Sequence, residues 1–209
     1  MKKILDLNTW NRREHYAFFS ALSEPFHGII ADVDCTKAYA YCKQEQQSFF
    51  LYYLHKTLKA INQTQAMRYR IEDQQVVIYD TIHVNATISR ADQTFGFCPI
   101  YFKEDFAEFA TAAYAAMQII KESSGLCFND ECARNDVIHF SAMPWIKFSG
   151  ITHARQLDGR DSVPKISVGK CAPQNGKMLM PVGTFVHHGL VDAYHVHQFL
   201  EKLQKELEA

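Results

Sequence analysis

The sequence predicts an α/β (α+β) fold with a mixed β-sheet, because about five helical and seven or eight strand-like segments are interspersed along 209 residues. Two connections between strands are short enough for hairpins, which implies antiparallel pairs and disfavours a purely parallel doubly wound sheet. The chain carries no glycine-rich phosphate loop of the GxGxxG or GxxxxGK(S/T) type. Its length and the lack of a Pro/Gly/Ser linker predict a single domain, 1–209.

The helices are predicted from apolar periodicity and from residues that can cap a helix. Asp34 and Ser48 each precede an amphipathic stretch and can accept hydrogen bonds from its first free N–H groups. The stretch after Ser48 has apolar residues at helical spacing, and the stretch before residue 122 is rich in alanine. The predicted helices are 11–22, 35–46, 49–61, 105–122 and a C-terminal helix with an apolar stripe at Val196, Phe199, Leu200, Leu203 and Leu207.

The strands are predicted from short apolar or alternating segments between turn residues. Segments 67–71 and 76–79 flank Glu72-Asp73-Gln74 and should form a hairpin. The other predicted strands are 27–33, 83–89, 95–100, 137–141, 146–153, 165–169 and 178–187.

Composition argues against several classes of protein. With 22 Lys+Arg against 23 Asp+Glu, the formal net charge is −1, which lacks the basic excess of a nucleic-acid-binding protein. The apolar-rich stretch 106–120 is too short and too polar to span a bilayer, and residues 1–10 do not resemble a secretory signal. The six cysteines include no CxxC pair, so we interpret them as reduced thiols of a cytoplasmic protein, mostly packing residues.

The segment whose side chains are best suited to catalysis lies between the last predicted strand and the last predicted helix. It contains His187, His188 and Asp192, and strand ends present functional side chains on a rigid scaffold. Three interpretations are open: turn and capping residues without chemistry, a metal site that would include His195 and matches no common ligand spacing, or a histidine general base.

A resemblance favours the third interpretation. Segment 185–192, FVHHGLVD, resembles the HHxxxDG signature of the chloramphenicol acetyltransferase family. Segment 10–16, WNRREHY, resembles the family's WxRxxHF/Y opening, and segment 140–145, FSAMPW, resembles its SA(L/M)PW motif. All three occur in the family's order, and the resemblance covers nearly the whole chain. It implies a two-layer sandwich with a mixed sheet, and a homotrimer with active sites between subunits.

The resemblance also implies a role for each motif residue. His188 matches the general base that takes a proton from the acceptor hydroxyl, whose oxygen then attacks the thioester of acetyl-CoA without an acyl-enzyme. Ser141 matches the residue that stabilises the tetrahedral oxyanion. Asp192 matches a structural aspartate that pairs with an arginine, here Arg12, and His187 is interpreted as structural.

Binding residues follow from the same resemblance. Lys170 could supply charge for CoA, although the best-matching CoA contact positions carry Ser48 and Cys171. Ala193 stands where the family usually has glycine, and His153 and Lys165 stand where the family looks apolar, which predicts a more polar acceptor pocket. The residues expected around the acceptor are Phe19, Phe95, Phe128, Ser167 and Ile151.

The resemblance therefore implies an acyltransferase that moves acetyl from acetyl-CoA to a hydroxyl of chloramphenicol or a similar small acceptor, with no metal and with antibiotic resistance as the associated role. Two alternatives stay open: acetylation of a different, more polar acceptor, and a non-catalytic member of the family that only binds.

Overall fold

A computed structural model describes residues 1–155 and 161–209 of the chain. The helices are α1 (Arg13–Ser20), α2 (Thr36–Gln44), α3 (Phe49–Gln63), α4 (Phe106–Glu122) and α5 (Ala193–Glu208), with a 3₁₀ turn at Gln65–Arg68. The strands are β1 (Lys2–Ile4), β2 (Phe26–Asp34), β3 (Tyr69–Glu72), β4 (Gln75–Tyr79), β5 (His83–Ser89), β6 (Phe95–Ile100), β7 (Val137–Ala142), β8 (Lys165–Val168), β9 (Ala172–Gln174) and β10 (Lys177–His187).

The main sheet has the strand order β2-β10-β8-β7-β5-β6, with β9 paired to the start of β10. Its β5–β7 and β7–β8 pairs are parallel, whereas β2–β10, β10–β8 and β5–β6 are antiparallel. The prediction of a mixed sheet is therefore confirmed. A separate small sheet in the order β1-β4-β3 contains the predicted hairpin, in which the chain turns through Asp73 and Gln74 at positive φ.

Helices α2 to α5 cover one face of the main sheet, which gives a two-layer sandwich as expected. Alternate strand residues such as Ala86, Phe140 and Val186 join the hydrophobic core on that face. The ring of Phe140 lies 6.3 Å from that of Tyr53 on α3, and α5 in turn packs against α3. The intervening alternate residues therefore face away from the helices, on what we call the outer face of the sheet.

Capping residues begin the helices close to where the sequence predicts. The Ser48 hydroxyl accepts a hydrogen bond from the Leu51 amide at 3.3 Å, and Asp105 caps α4 in the same way. Asp34 accepts from the Thr36 amide at 3.0 Å, although the helix proper begins after Cys35. On α5, four residues of the predicted apolar stripe are buried, and Leu200 is half-buried.

Two expectations about strands are wrong. Segment 146–153 is irregular, because its apolar residues pack onto the outer face of the sheet instead of pairing at an edge. A Cβ built on Gly169 would lie 2.8 Å from the Ile146 carbonyl and 2.9 Å from Phe148, so this glycine allows the segment to approach closely. Met67 belongs to the 3₁₀ turn, and the short strands β1 and β9 have no clear sequence signal.

No helix in the described part of the chain is both long and apolar enough to cross a bilayer. The most apolar stretch forms α4, which packs against β6 and β5.

Candidate active site

His188 immediately follows β10, at the end of the sheet where β2 begins. Its backbone amide donates to the carbonyl of Pro25 at 2.8 Å, which fixes the chain beside the first residue of β2. Its ring stacks on Phe19 with centroids 3.9 Å apart and planes only 9° apart, and it lies 4.3 Å from the ring of His27. The described residues offer no hydrogen-bond partner to Nδ1 of His188. That nitrogen is buried, and the imidazole is held in place by its stacking on Phe19.

Arg12 and Asp192 form an ion pair that supports the turn after His188. One guanidinium nitrogen, Nη1, donates to Asp192 Oδ2 at 2.6 Å, and Nη2 donates to the carbonyl of His188 at 3.0 Å. Burial works to raise the pKa of Asp192, but the hydrogen bond from Arg12 and the charges of His195 and Arg12 lower it below its usual value. The predicted pairing of Arg12 with Asp192 is present in this geometry, and it reaches His188 through the backbone.

Asp192 also caps α5. Its carboxylate accepts from the amides of Tyr194 and His195, and the His195 ring accepts from the Asp192 amide, which completes a capping box. Ala193 is the first residue of α5 and does not have a positive φ. Alanine is therefore unstrained at the position where a glycine was expected.

His187 is buried to 2% exposure and lies on the opposite side of β10 from the core residue Val186. Its Nδ1 accepts from the Gly189 amide at 3.1 Å, and its ring meets Phe26 edge-on. Burial lowers the pKa of His187 to about 4, and the charge of Arg155 adds to this effect. A neutral, buried ring that supports the turn agrees with the structural interpretation of His187.

Ser141 lies in a row of residues that crosses the outer face of the sheet. It pairs in register with Ser167 on β8, which pairs in turn with Gly183 on β10. The hydroxyl of Thr87 on β5 donates to the Ser141 hydroxyl at 3.2 Å. Ser167 is fully buried, and its hydroxyl lies 3.4 Å from Nε2 of His153. This row presents two adjacent hydroxyl groups, those of Ser141 and Ser167, where the irregular segment 143–155 covers the sheet.

His188 and Ser141 do not meet within one chain. Gly183 lies in the same row as Ser141. His188 is five residues after Gly183, which corresponds to roughly 17 Å along the strand at about 3.3 Å per residue. His188 also packs beside His27, whose register partner Val186 belongs to the core on the helical side, whereas Ser141 is on the outer face. The chain therefore assembles two half-sites: one contains His188, Arg12, Asp192 and Phe19, and the other contains Ser141 and Ser167.

The half-site on the outer face adjoins a cavity of about 370 Å³. Lys165, two residues before Ser167, contributes to its wall although it is only 5% exposed. The Lys165 ammonium donates to Asp161 Oδ2 at 2.7 Å and to the carbonyl of Val163 at 3.1 Å. Burial lowers the pKa of Lys165, and the charge of Asp161 opposes that effect. The polar character expected from Lys165 is thus present beside the serine row.

The expected acceptor residues are divided between several places. Phe128 is exposed and contributes to the same cavity, whereas Phe95 is exposed at the edge of the sheet. Both rings pack edge-on against Phe97, at 5.6 Å. Ile151 lies over Gly183, beside the serine row, while Phe19 belongs to the His188 half-site.

Lys170, the expected CoA contact, is exposed just after β8. Its backbone amide donates a hydrogen bond to the carbonyl of Ile146 at 2.7 Å. Its neighbour Cys171 lies with its sulfur 3.0 Å from that of buried Cys35. Within residues 1–155 and 161–209, no group of three His, Cys, Asp or Glu side chains is arranged to hold a metal ion.

A solved structure of a chloramphenicol acetyltransferase superposes on this chain with a TM-score of 0.93 at 32% identity, covering 99% of this chain and all of the other. A family model described as chloramphenicol acetyltransferase matches residues 2–204. The chain belongs to the chloramphenicol acetyltransferase family. Membership confirms the interpretation of the chain as an acyltransferase of the chloramphenicol acetyltransferase type.

Relatives within the family are similar along almost their whole length. A chloramphenicol acetyltransferase of Bacillus pumilus is 25% identical over 98% of this chain and 92% of its own length. Chloramphenicol acetyltransferase 2 of Haemophilus influenzae is also 25% identical, over 96% of this chain and 94% of its own.

A dihydrolipoamide acetyltransferase of Azotobacter vinelandii shares the fold, with a TM-score of 0.72 at 11% identity, over 93% of this chain and 86% of that one.

Sequence reasoning missed three neighbours of the candidate site residues. Thr87 binds the Ser141 hydroxyl, His27 lies beside His188, and Asp161 pairs with Lys165. Strand alternation could have placed Thr87 on the outer face, because Ala86 and Ile88 on either side are apolar. No sequence pattern points to Asp161, since it pairs with Lys165 across an irregular connection.

Proposed function

We propose that this protein transfers acetyl from acetyl-CoA to a hydroxyl of a small acceptor, with His188 as the general base. The observation that carries the proposal is the match of the whole chain to an acetyltransferase family with the motif histidine retained and its ring held against Phe19. Chloramphenicol, the acceptor in the names of the relatives, is the first acceptor to test. We propose a cytoplasmic location and, if chloramphenicol is turned over, a role in antibiotic resistance.

In this mechanism both substrates bind together and the acetyl group moves directly. The imidazole of His188 takes the proton of the acceptor hydroxyl while that oxygen attacks the thioester carbonyl. The carbonyl oxygen becomes an oxyanion, which accepts a hydrogen bond from the Ser141 hydroxyl. The intermediate then collapses, the carbon–sulfur bond breaks, and the CoA thiolate receives the proton from His188. A positioned base contributes roughly 10²–10⁴ in rate, and one oxyanion donor roughly 10²–10³.

The proposal includes a homotrimer in which each active site forms between two copies of the chain. Its support is the separation of the half-sites: His188 and Ser141 cannot act on one reacting carbon while roughly 17 Å of strand lies between their rows. In a ring of identical subunits, the His188 half-site of one copy faces the Ser141 half-site of the next. Lys170 would contact CoA from the exposed end of β8, where its charge is accessible.

Mixing two inactive variants tests the reaction and the shared site together. His188→Ala and Ser141→Ala should each lose at least about 10² in thiol release from acetyl-CoA. Refolding them together should restore activity in about a quarter of the sites, because a random mixture pairs an intact His188 with an intact Ser141 in that fraction.

The controls are each variant refolded alone and two wild-type samples mixed in the same way. Activity of His188→Ala within tenfold of wild type would refute its role as the base. Full loss in each variant without recovery on mixing would refute the shared site. An absence of thiol release with every acceptor would favour the alternative of a member of the family that only binds.

A further inference from the structure

The cavity beside the serine row is lined by charged groups that are already paired. Lys165 and Asp161 form an ion pair in its wall, and their side chains are only 6% and 19% exposed. Arg155 pairs with Glu24, and Arg134 pairs with Asp136 at 2.5 Å. Among the described residues, the charged groups around this cavity are therefore paired in opposite signs.

Within residues 1–155 and 161–209, the Lys165 ammonium does not use all of its hydrogen-bonding capacity. Of its three N–H groups, two bind Asp161 and the Val163 carbonyl. The ammonium also lies 5.0 Å from the centre of the Phe26 ring, a favourable contact for a cation. Asp161 uses Oδ2 for Lys165 and Oδ1 for the Val163 amide, which leaves lone pairs on both oxygens. The pair can thus donate one hydrogen bond and accept several.

The ion pair lies within reach of the proposed reaction centre. Lys165 and Ser167 are alternate residues of β8, so they share the outer face at a spacing of about 7 Å. His139, which also contributes to the cavity, precedes Ser141 by the same interval on β7. An acceptor whose hydroxyl attacks the thioester carbonyl beside Ser141 would therefore place its body against Lys165 and Asp161.

We propose that the acceptor is a neutral polyhydroxylated molecule, a sugar or a cyclitol, and that the Lys165–Asp161 pair determines this specificity. The proposal rests on the acetyl transfer proposed above and names its acceptor class. Adjacent hydroxyls of a sugar or cyclitol accept a hydrogen bond from the third Lys165 N–H and donate one to the Asp161 carboxylate. The exposed aromatic face of Phe128, which also lines the cavity, suits the C–H surface of a sugar.

Two other acceptor classes fit the cavity less well. An apolar aromatic acceptor would remove the remaining water from the ion pair without replacing its hydrogen bonds, which carries a desolvation cost. An acidic acceptor would meet Lys165 and Arg155 already neutralised by Asp161 and Glu24, and would lie close to the Asp161 carboxylate.

The test compares acceptors in a thiol-release assay with acetyl-CoA: methyl α-D-glucopyranoside, myo-inositol, chloramphenicol and glycerate. We expect kcat/KM for one of the two neutral polyols to exceed that for chloramphenicol and glycerate by at least tenfold. Lys165→Met should lower the polyol value roughly ten- to a hundredfold, the loss expected for a hydrogen bond to a charged group, while the chloramphenicol value rises or is unchanged. Lys205→Met, an exposed lysine on α5, is the matched control and should change neither value.

The double variant Lys165→Met/Asp161→Asn removes both charges and replaces the single variant if the unpaired carboxylate prevents folding. The inference would be overturned if the wild type has a higher kcat/KM for chloramphenicol than for the polyols, and if the ratio of these two kcat/KM values changes less than twofold in the Lys165 variants. Acetyl transfer itself would remain supported.

Failure of the proposed reaction would be recognised separately, as an absence of thiol release with all four acceptors. Calorimetric titration of the same polyols into His188→Ala, which needs no chemistry, then decides the acceptor class. Binding that is lost on adding Lys165→Met supports the polyol site, and an absence of binding overturns it.

Discussion

Breaking the ion pair between Arg12 and Asp192 should destabilise the protein in a non-additive way. The guanidinium is the more buried partner, with 9% of its side chain exposed against 31% for the carboxylate. Asp192→Ala leaves the Arg12 charge buried and removes the cap of α5, so we expect a loss of about 4 kcal/mol in the free energy of unfolding. Arg12→Ala leaves a carboxylate that still accepts two backbone amides and reaches solvent, so the expected loss is about 2 kcal/mol.

The double variant should lose about 4 kcal/mol, well short of the sum of the single losses, because the unpaired charge is absent once both residues are alanine. The resulting coupling energy is about 2 kcal/mol. Asp192→Asn is the matched control: asparagine keeps the N-cap and removes only the charge, so it separates the ion pair from the cap.

Urea unfolding followed by far-UV circular dichroism at pH 7 measures these losses, at one fixed protein concentration so that any effect of assembly is constant. Thiol release is measured on the same samples, because Arg12 also holds the carbonyl of His188. Losses that sum within about 0.5 kcal/mol would show that the two side chains do not interact, and the account of how the His188 turn is supported would then be wrong.

Two other predictions concern the candidate catalytic row and acid stability. Ser141→Ala should lower kcat more than it raises KM, because an oxyanion contact exists mainly in the transition state; a raised KM with unchanged kcat would make Ser141 a substrate-binding residue. Stability should fall as the pH drops from about 6.5 towards 4, because burial lowers the pKa of His187 from 6.5 to about 4 and the unfolded chain therefore binds that proton first. The stabilising contribution of His187 is complete above pH 6.5. If the thermal midpoint changes equally with pH between 6.5 and 4 in the wild type and in His187→Gln, the assignment is wrong.

Several elements could be predicted from the sequence because their signals are local. Ser48 caps α3 as expected, and the apolar stripe that includes Val196 and Phe199 forms the buried side of α5. Such signals act within one or two turns of the chain, where capping and burial of one face are decided. The three motifs likewise identified the family and the candidate residues His188 and Ser141, because motif order is a property of the sequence.

Tertiary structure decided the features that depend on residues far apart in the chain. Segment 146–153 reads as a strand, yet it lies on the face of the sheet, because Gly169, just after β8, leaves room for Ile146 and Phe148. Strand order and register separate His188 from Ser141 in one chain, because a side chain's place on a sheet depends on which strands pair and on which residue pairs with which.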